Sequence, residues 1–177
     1  DILSLNSKNT ELKGIESLQK SYGILLVIKC FEIENSSIIS SDINQIITEL
    51  IVSDTIIVEN IIERRLKSSK GKTKQEIELV NTEIELLNSL KSHLENGSAL
   101  NSYTFKEGEL RKLTGYNLIT LKPIFVVLNS DTELIENEGN ENLTDYSNNF
   151  LYPSKLEIEL SELPEIESNE FRESLNI

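Results

Sequence analysis

Apolar residues in this chain follow two kinds of pattern. Gly23–Phe31 (GILLVIKCF) is a short, almost unbroken run of mostly branched apolar residues, which reads as a buried strand. Lys122–Asn129 (KPIFVVLN) repeats that signature, with Pro123 acceptable at a strand's first residue, and Asn149–Tyr152 (NFLY) is a weaker third strand. Between the first two runs the period lengthens. Ile43, Ile47, Leu50, Ile57 and Ile61 keep helical spacing, with Asp54 at the missing step and Ile46 and Val58 widening the stripe. Ile77, Val80, Ile84, Leu87 and Leu94 continue the 3–4 alternation, interrupted by Lys91. The pattern predicts helices over Ser41–Leu66 and Thr73–Asn96, packed antiparallel through Ile-rich seams, because neither helix would be stable by itself in water. Gly71, within Ser68–Lys74 (SSKGKTK), supplies the turn, and Asn96-Gly97 ends the second helix. Ser130–Asn149 is polar and reads as a loop with at most one short helix. In Ser154–Ile177, Pro164 opens a second helical segment at its first position. Near-continuous strands separated by helices point to an α/β fold whose parallel sheet is covered on both faces.

A length of 177 residues suits one domain, or one domain carrying an inserted element. With 38% hydrophobic and 27% charged residues the chain fits a globular protein. Apolar runs reach five residues, as in Ile24–Ile28, far short of the ~18 of a membrane span. Cys30 and His93 are each the single residue of their type, so an intrachain disulfide and a His-pair metal site are excluded and a Cys-based zinc site is close to excluded. The chain has no Met, and is therefore expected to be processed, truncated or excerpted. Its 23 Ile and 18 Asn against one Ala reflect AT-rich coding, which blurs propensity arguments. A cytoplasmic location is expected, with an organelle matrix as the alternative.

A net charge of −13 disfavours DNA and anionic membranes as partners. The charge is segregated, however. Arg64, Arg65, Lys67, Lys70, Lys72 and Lys74 lie in an 11-residue stretch without an acid, while the other 166 residues hold 11 basic and 30 acidic groups. Such a stretch is either a solvated turn or a cationic tip that approaches an RNA backbone while the acidic body stays in solvent. Gly71-Lys72-Thr73 resembles the end of a phosphate-binding loop, but that loop requires a Gly at position 66, where Leu stands, and a strand before it. His93, on the second helix, reads as an exposed helix histidine rather than a base.

Several segments, in order along the chain, resemble the YchF/Obg-like ATPases, a branch of the P-loop translation-factor NTPases. Ser41–Arg65 resembles the start of that family's coiled-coil insertion, Cys30–Glu32 the strand end before it, and Leu86–Leu100 the exit. Leu118–Asn129 resembles the segment leading into the base-recognition motif, and Ser154–Ile177 the stretch after the last nucleotide motif. The resemblance implies a partial P-loop NTPase-type α/β domain over residues 1–40 and 117–177, with an antiparallel α-helical coiled-coil hairpin inserted at 41–116. It further implies ATP and Mg2+ as cofactors and the ribosome or ribosomal RNA as partner. Asp1, in Asp1-Ile2-Leu3-Ser4-Leu5, would hold magnesium through water; Asn129, Ser130, Ser154 and Lys155 would line the nucleotide's base; Arg64, Arg65, Lys67, Lys70, Lys72 and Lys74 would contact RNA. Departures are visible: Ser4 stands where the family has Gly, Thr132 (between Asp131 and Glu133) where GTPases have the guanine-reading acid, and Tyr152-Pro153-Ser154-Lys155 replaces an S-A-K loop.

Two functions stay open on these residues: an incomplete or degenerate homologue of a ribosome-associated P-loop ATPase, or a non-catalytic coiled-coil module that binds RNA through its basic tip. An acidic helical protein unrelated to nucleotides fits less well, because GILLVIK and KPIFVVLN make poor helices. Phosphoryl transfer needs a cradle of backbone amides and a Lys on the β/γ-phosphates. No segment of this chain reads as that cradle, so no catalytic residue is assigned. The purified 177-residue chain is expected to show no magnesium-dependent ATP or GTP turnover above a heat-killed control.

Overall fold

The computed structural model describes residues 15–30, 36–68, 73–130 and 149–175. Asp1, Lys70, Gly71, Lys72 and the Asp131–Glu133 stretch lie outside them. In chain order the elements are α1 (Ile15–Lys20), β1 (Ile24–Lys29), α2 (Ser36–Lys67), α3 (Lys74–Glu95), a 3-10 turn (Leu100–Ser102), α4 (Glu109–Lys112), β2 (Ile124–Asn129), β3 (Asn149–Tyr152), α5 (Ser154–Ser161) and α6 (Glu165–Leu175). All three expected strands and both long helices are present, α2 starting five residues earlier than its spacing suggested. The helix α1 and the short elements between residues 100 and 112 had no counterpart in the sequence pattern. The chain divides into two compact units, one from Asp1–Ile24 and Asn44–Ile124, the other from Leu25–Ile43 and Phe125–Ile177.

In the first unit, α2 buries Ile47, Leu50, Ile51, Asp54, Val58 and Ile61, and α3 buries Val80, Leu86, Leu87, Leu90 and Leu94. This corrects the expected register: Ile77 is exposed and Ile84 only half-buried, and two further positions shift. Val58 rather than Ile57 is fully buried, and Leu90 fills the step assigned to Lys91. The Ile-rich stripe is wide enough that two registers satisfy the same spacing, and packing selects one. Lys91 instead pairs with Glu59 at 2.7 Å, and Arg65 with Glu83 at 3.0 Å. Thr73 caps α3: its hydroxyl accepts from the Glu76 amide, and its own amide donates to the Glu76 carboxylate at 2.8 Å. The Thr of Gly71-Lys72-Thr73 is therefore accounted for by helix initiation. Asn96 and Gly97 end α3, Gly97 at φ 77°, a conformation open to glycine at little cost.

Asp54 is fully buried, and its carboxylate accepts three hydrogen bonds: from the Ile119 amide (2.8 Å), the Thr120 amide (2.7 Å) and the Thr120 hydroxyl (2.7 Å). Burial pushes its pKa up, while these donors and Lys122 pull it down. The Thr120 hydroxyl also accepts from the Leu100 amide (3.2 Å), and the Thr120 carbonyl from the Asn101 amide (2.8 Å). Two residues on, the Lys122 ammonium donates to the Leu18 and Gln19 carbonyls at 2.5 and 2.7 Å, closing the C-terminal end of α1. His93 is half-buried, not exposed as expected. Its Nε2 lies 3.1 Å from both the Ala99 carbonyl and the Ser102 hydroxyl, and its ring meets Tyr103 edge-on at 5.2 Å. Those partners come after the turn that ends α3, which is why helical spacing could not reveal them.

The sheet has the order β1-β2-β3. β3 runs parallel to β2, with Val126 opposite Asn149 and Asn129 opposite Tyr152. The Ile24 amide donates to the Pro123 carbonyl and the Cys30 amide to the Asn129 carbonyl, so β1 advances in the same direction as β2. Ile24, Leu26, Ile28, Val126 and Leu128 are buried, whereas Leu25 and Val27 are 59% and 61% exposed. Alternate side chains point to opposite faces, so Leu25 and Val27 lie on the face opposite Ile24, Leu26 and Ile28, while in β2 Val126, Val127 and Leu128 are all buried. Cys30 closes β1, fully buried, with its thiol pushed up to about 11 by desolvation and then by Asp42. A thiol so protonated is a packing group, not a nucleophile.

Removing the Asp54 carboxylate leaves two buried amides without an acceptor. Asp54→Ala is expected to cost about 3–5 kcal/mol in urea unfolding, and Asp54→Asn less, because the amide oxygen still accepts one bond.

Candidate functional site

Ligands of open α/β sheets bind outside the carboxyl ends of the strands. Here the ends of β2 and β3 bring together three of the four residues expected to line a nucleotide base. Asn129 is the last residue of β2, half-buried, and its Oδ1 accepts from the Ser154 hydroxyl at 2.5 Å. This bond takes one of the two lone pairs of the amide oxygen and fixes the orientation of the Asn129 side chain. Ser130 follows at 2% exposure; its amide donates to the Tyr152 carbonyl at 3.2 Å, and its hydroxyl has no hydrogen-bond partner among the described residues. Ser154 opens α5 directly after β3, with Pro153 at the cap and the Pro153 carbonyl accepting from the Glu157 amide at 3.0 Å. No side chain caps this end, so the first amides of α5 present the positive end of a short helix. Lys155, next along, is exposed. Behind the site, Arg172 of α6 grips Glu157 through two bonds of 2.8 and 2.6 Å, which holds the Glu157 carboxyl below its usual range.

The basic stretch occupies the end of α2 and the start of α3 in the other unit. Arg64 is exposed, with Nε donating to the Asn60 carbonyl at 3.2 Å. Lys67 pairs with Glu63 one turn back at 3.3 Å, both side chains well exposed, and Lys74 is exposed at the first position of α3. Arg65 differs. Its Nη2 donates to Glu83 Oε1 (3.0 Å) and to the Tyr116 hydroxyl (2.9 Å), and Tyr116 in turn donates to the same Glu83 oxygen. Neither Glu83 nor Tyr116 was singled out by sequence reasoning, since they sit 18 and 51 residues from Arg65 and carry no motif. Among the described residues no three His, Cys, Asp or Glu side chains converge as a metal site. Nor is any described helix long and apolar enough to cross a membrane.

A small parallel sheet with helices between and after its strands places the chain in the mixed α/β class, with Asn129 and the helix-opening Ser154 joined at the strand ends. Comparison with known proteins narrows this class. No family model matches the chain. The ribosome-binding ATPase YchF of Pasteurella multocida is 27% identical over 93% of this chain and 48% of its own length. An Obg-like ATPase homolog of Saccharomyces cerevisiae is 29% identical over 90% and 44%. The structure of the Schizosaccharomyces pombe YchF GTPase superposes with a TM-score of 0.82 at 19% identity, covering 97% of this chain and 50% of that one, a likeness of fold. The resemblance to the YchF/Obg-like ATPases read from the sequence is thus upheld along nearly the whole chain, and the chain spans about half the length of the curated relatives it matches.

The two serines of the sheet site should behave differently in urea unfolding. Ser154→Ala loses a bond to Asn129 and is expected to cost about 1 kcal/mol. Ser130→Ala loses none and removes a buried hydroxyl without a partner among the described residues, so it is expected to be neutral or stabilising.

Proposed function

We propose that this chain contributes the base-contacting part of a nucleotide-binding domain, together with a coiled-coil hairpin, to a ribosome-associated ATPase of the YchF/Obg-like kind. The observation that carries this reading is the sequence similarity to ribosome-binding YchF ATPases over 93% of the chain, which runs through both groups of candidate residues. The Asn129–Ser154 bond supports the nucleotide part. The base would rest at the ends of β2 and β3, where the Asn129 amide donates to an acceptor on the purine edge and the Lys155 stem lies alongside. A bound ATP with Mg2+ would supply the phosphoryl group and its charge neutralisation. Among the described residues only the base end has candidates, and Asp1 would be the residue facing the metal. With Thr132 in place of the guanine-reading acid, adenine is the favoured base. The Glu59–Lys91 and Arg65–Glu83 pairs support α2 and α3 as an antiparallel coiled-coil hairpin inserted over 41–116, since partners rise along one helix as they fall along the other. Its basic loop meets ribosomal RNA, in the cytoplasm, and the acidic remainder of the chain stays in solvent.

Ribosome co-sedimentation tests the assignment. Changing Arg64, Lys70, Lys72 and Lys74 to Glu is expected to weaken binding by about tenfold or more at 0.1 M salt, with the parent's log affinity falling linearly in log salt and helical circular dichroism unchanged. Undiminished binding by this variant would reduce the loop to a solvated turn.

A further inference from the structure

The cations around the loop are not equivalent. Among the described residues Arg64 and Lys74 have no carboxylate partner, and Lys67 has only an exposed partner one turn away, a pairing that contributes little and is readily exchanged for a phosphate. Arg65 is held differently, by Glu83 of α3 and by Tyr116, beyond α4. Its side chain is 40% exposed, but that of Glu83 is only 16% exposed. A phosphate approaching this guanidinium would also approach the Glu83 carboxylate 3.0 Å away, so the encounter gains little net charge neutralisation. Tyr116 closes the triangle by donating to Glu83. Burial, followed by the Glu83 bond, holds the phenol above its ordinary pKa, so it remains a donor at neutral pH.

Resting on the proposed RNA partner, we propose that Arg65 is a positioning residue of the basic loop and not one of its phosphate contacts. With Glu83 and Tyr116 it fixes the spacing of the loop-proximal ends of α2 and α3, and so the arrangement in which Arg64, Lys67 and Lys74 meet an RNA backbone. Three chain segments meet at one guanidinium. The planar fork is suited to this task in a way a lysine ammonium is not. The proposal separates two roles that charge counting merges. A phosphate contact sets how steeply affinity depends on salt, whereas a positioning residue sets affinity at every salt concentration.

The test uses the full chain, purified ribosomes and two readouts. In the first, nitroxide labels at Asn60→Cys and Gln75→Cys report the distance distribution between α2 and α3. Arg65→Gln, Glu83→Gln and Tyr116→Phe are each expected to broaden it. In the second, each substitution is expected to weaken ribosome binding about fivefold, the loss of roughly one hydrogen bond's worth of preorganisation, with the slope of log affinity against log salt unchanged. A contact role gives the opposite pattern: Arg65→Gln lowers the slope by about one, and Glu83→Gln tightens binding by removing a competing anion. Either result, or an unbroadened distribution in Arg65→Gln, overturns the proposal. Should Arg65→Gln fail to fold, Tyr116→Phe removes only a hydroxyl and carries both readouts. If the unsubstituted chain does not sediment with ribosomes, the RNA partner is wrong, while the label distances still decide whether Arg65 positions the two helices.

Discussion

One buried carboxylate organises the first unit. Ionised carboxylates are costly to desolvate, by several kcal/mol, and persist in an interior only where donors surround them. Asp54 meets that condition with two consecutive backbone amides and a hydroxyl from Ile119 and Thr120. Thr120 passes the constraint on, donating its hydroxyl to Asp54 while receiving the Leu100 amide on the same oxygen. The middle of α2, the turn after α3 and the strand-leading segment before β2 therefore share one threonine. Lys122, gripping the end of α1, extends the same segment's reach by two residues. The chain enters β2 from a backbone already pinned on both sides.

The two candidate regions rest on different physics. At the sheet ends, recognition would come from a few directed polar groups: an amide oriented by its bond to Ser154, a buried hydroxyl, and helix amides with no side-chain cap. Around the loop it would come from charge density, which is long-ranged, salt-dependent and indifferent to sequence. Against the bulk charge of −13, six of the 17 basic residues fall in the one short stretch from Arg64 to Lys74.

Much of the fold was legible because its elements are marked by local pattern. Branched apolar runs announce β1 and β2, and the 3–4 spacing announces α2 and α3. Register was harder. With Ile at so many positions, Ile57 and Val58 both satisfy the spacing, and only packing assigns Val58 to the interior. Asp54 was visible as a polar residue in an apolar seam, yet its partners stand 65 and 66 residues away, beyond any periodicity. The burial of His93 is hidden from helical spacing for a related reason, since its partners Ala99, Ser102 and Tyr103 follow a turn. At the sheet site, Asn129 and Ser154 were identifiable only through family resemblance; nothing in their spacing foretells a hydrogen bond across 25 residues.

The cluster at Arg65 also bears on the order in which the chain can fold. Engaging Asp54 with Thr120 from an open chain closes a loop of 66 residues. Arg65 lies 11 residues beyond Asp54, and Tyr116 four before Thr120. Once Arg65, Glu83 and Tyr116 have met, the remaining loop is roughly 15 residues, about two halvings, which lowers the closure entropy by about 1.2 kcal/mol. The Arg65–Glu83 pair itself spans only 18 residues, most of them within helix. Once formed, the cluster at Arg65 shortens the loop that the buried anchor has to close, so the two sets of contacts support one another through the chain that joins them.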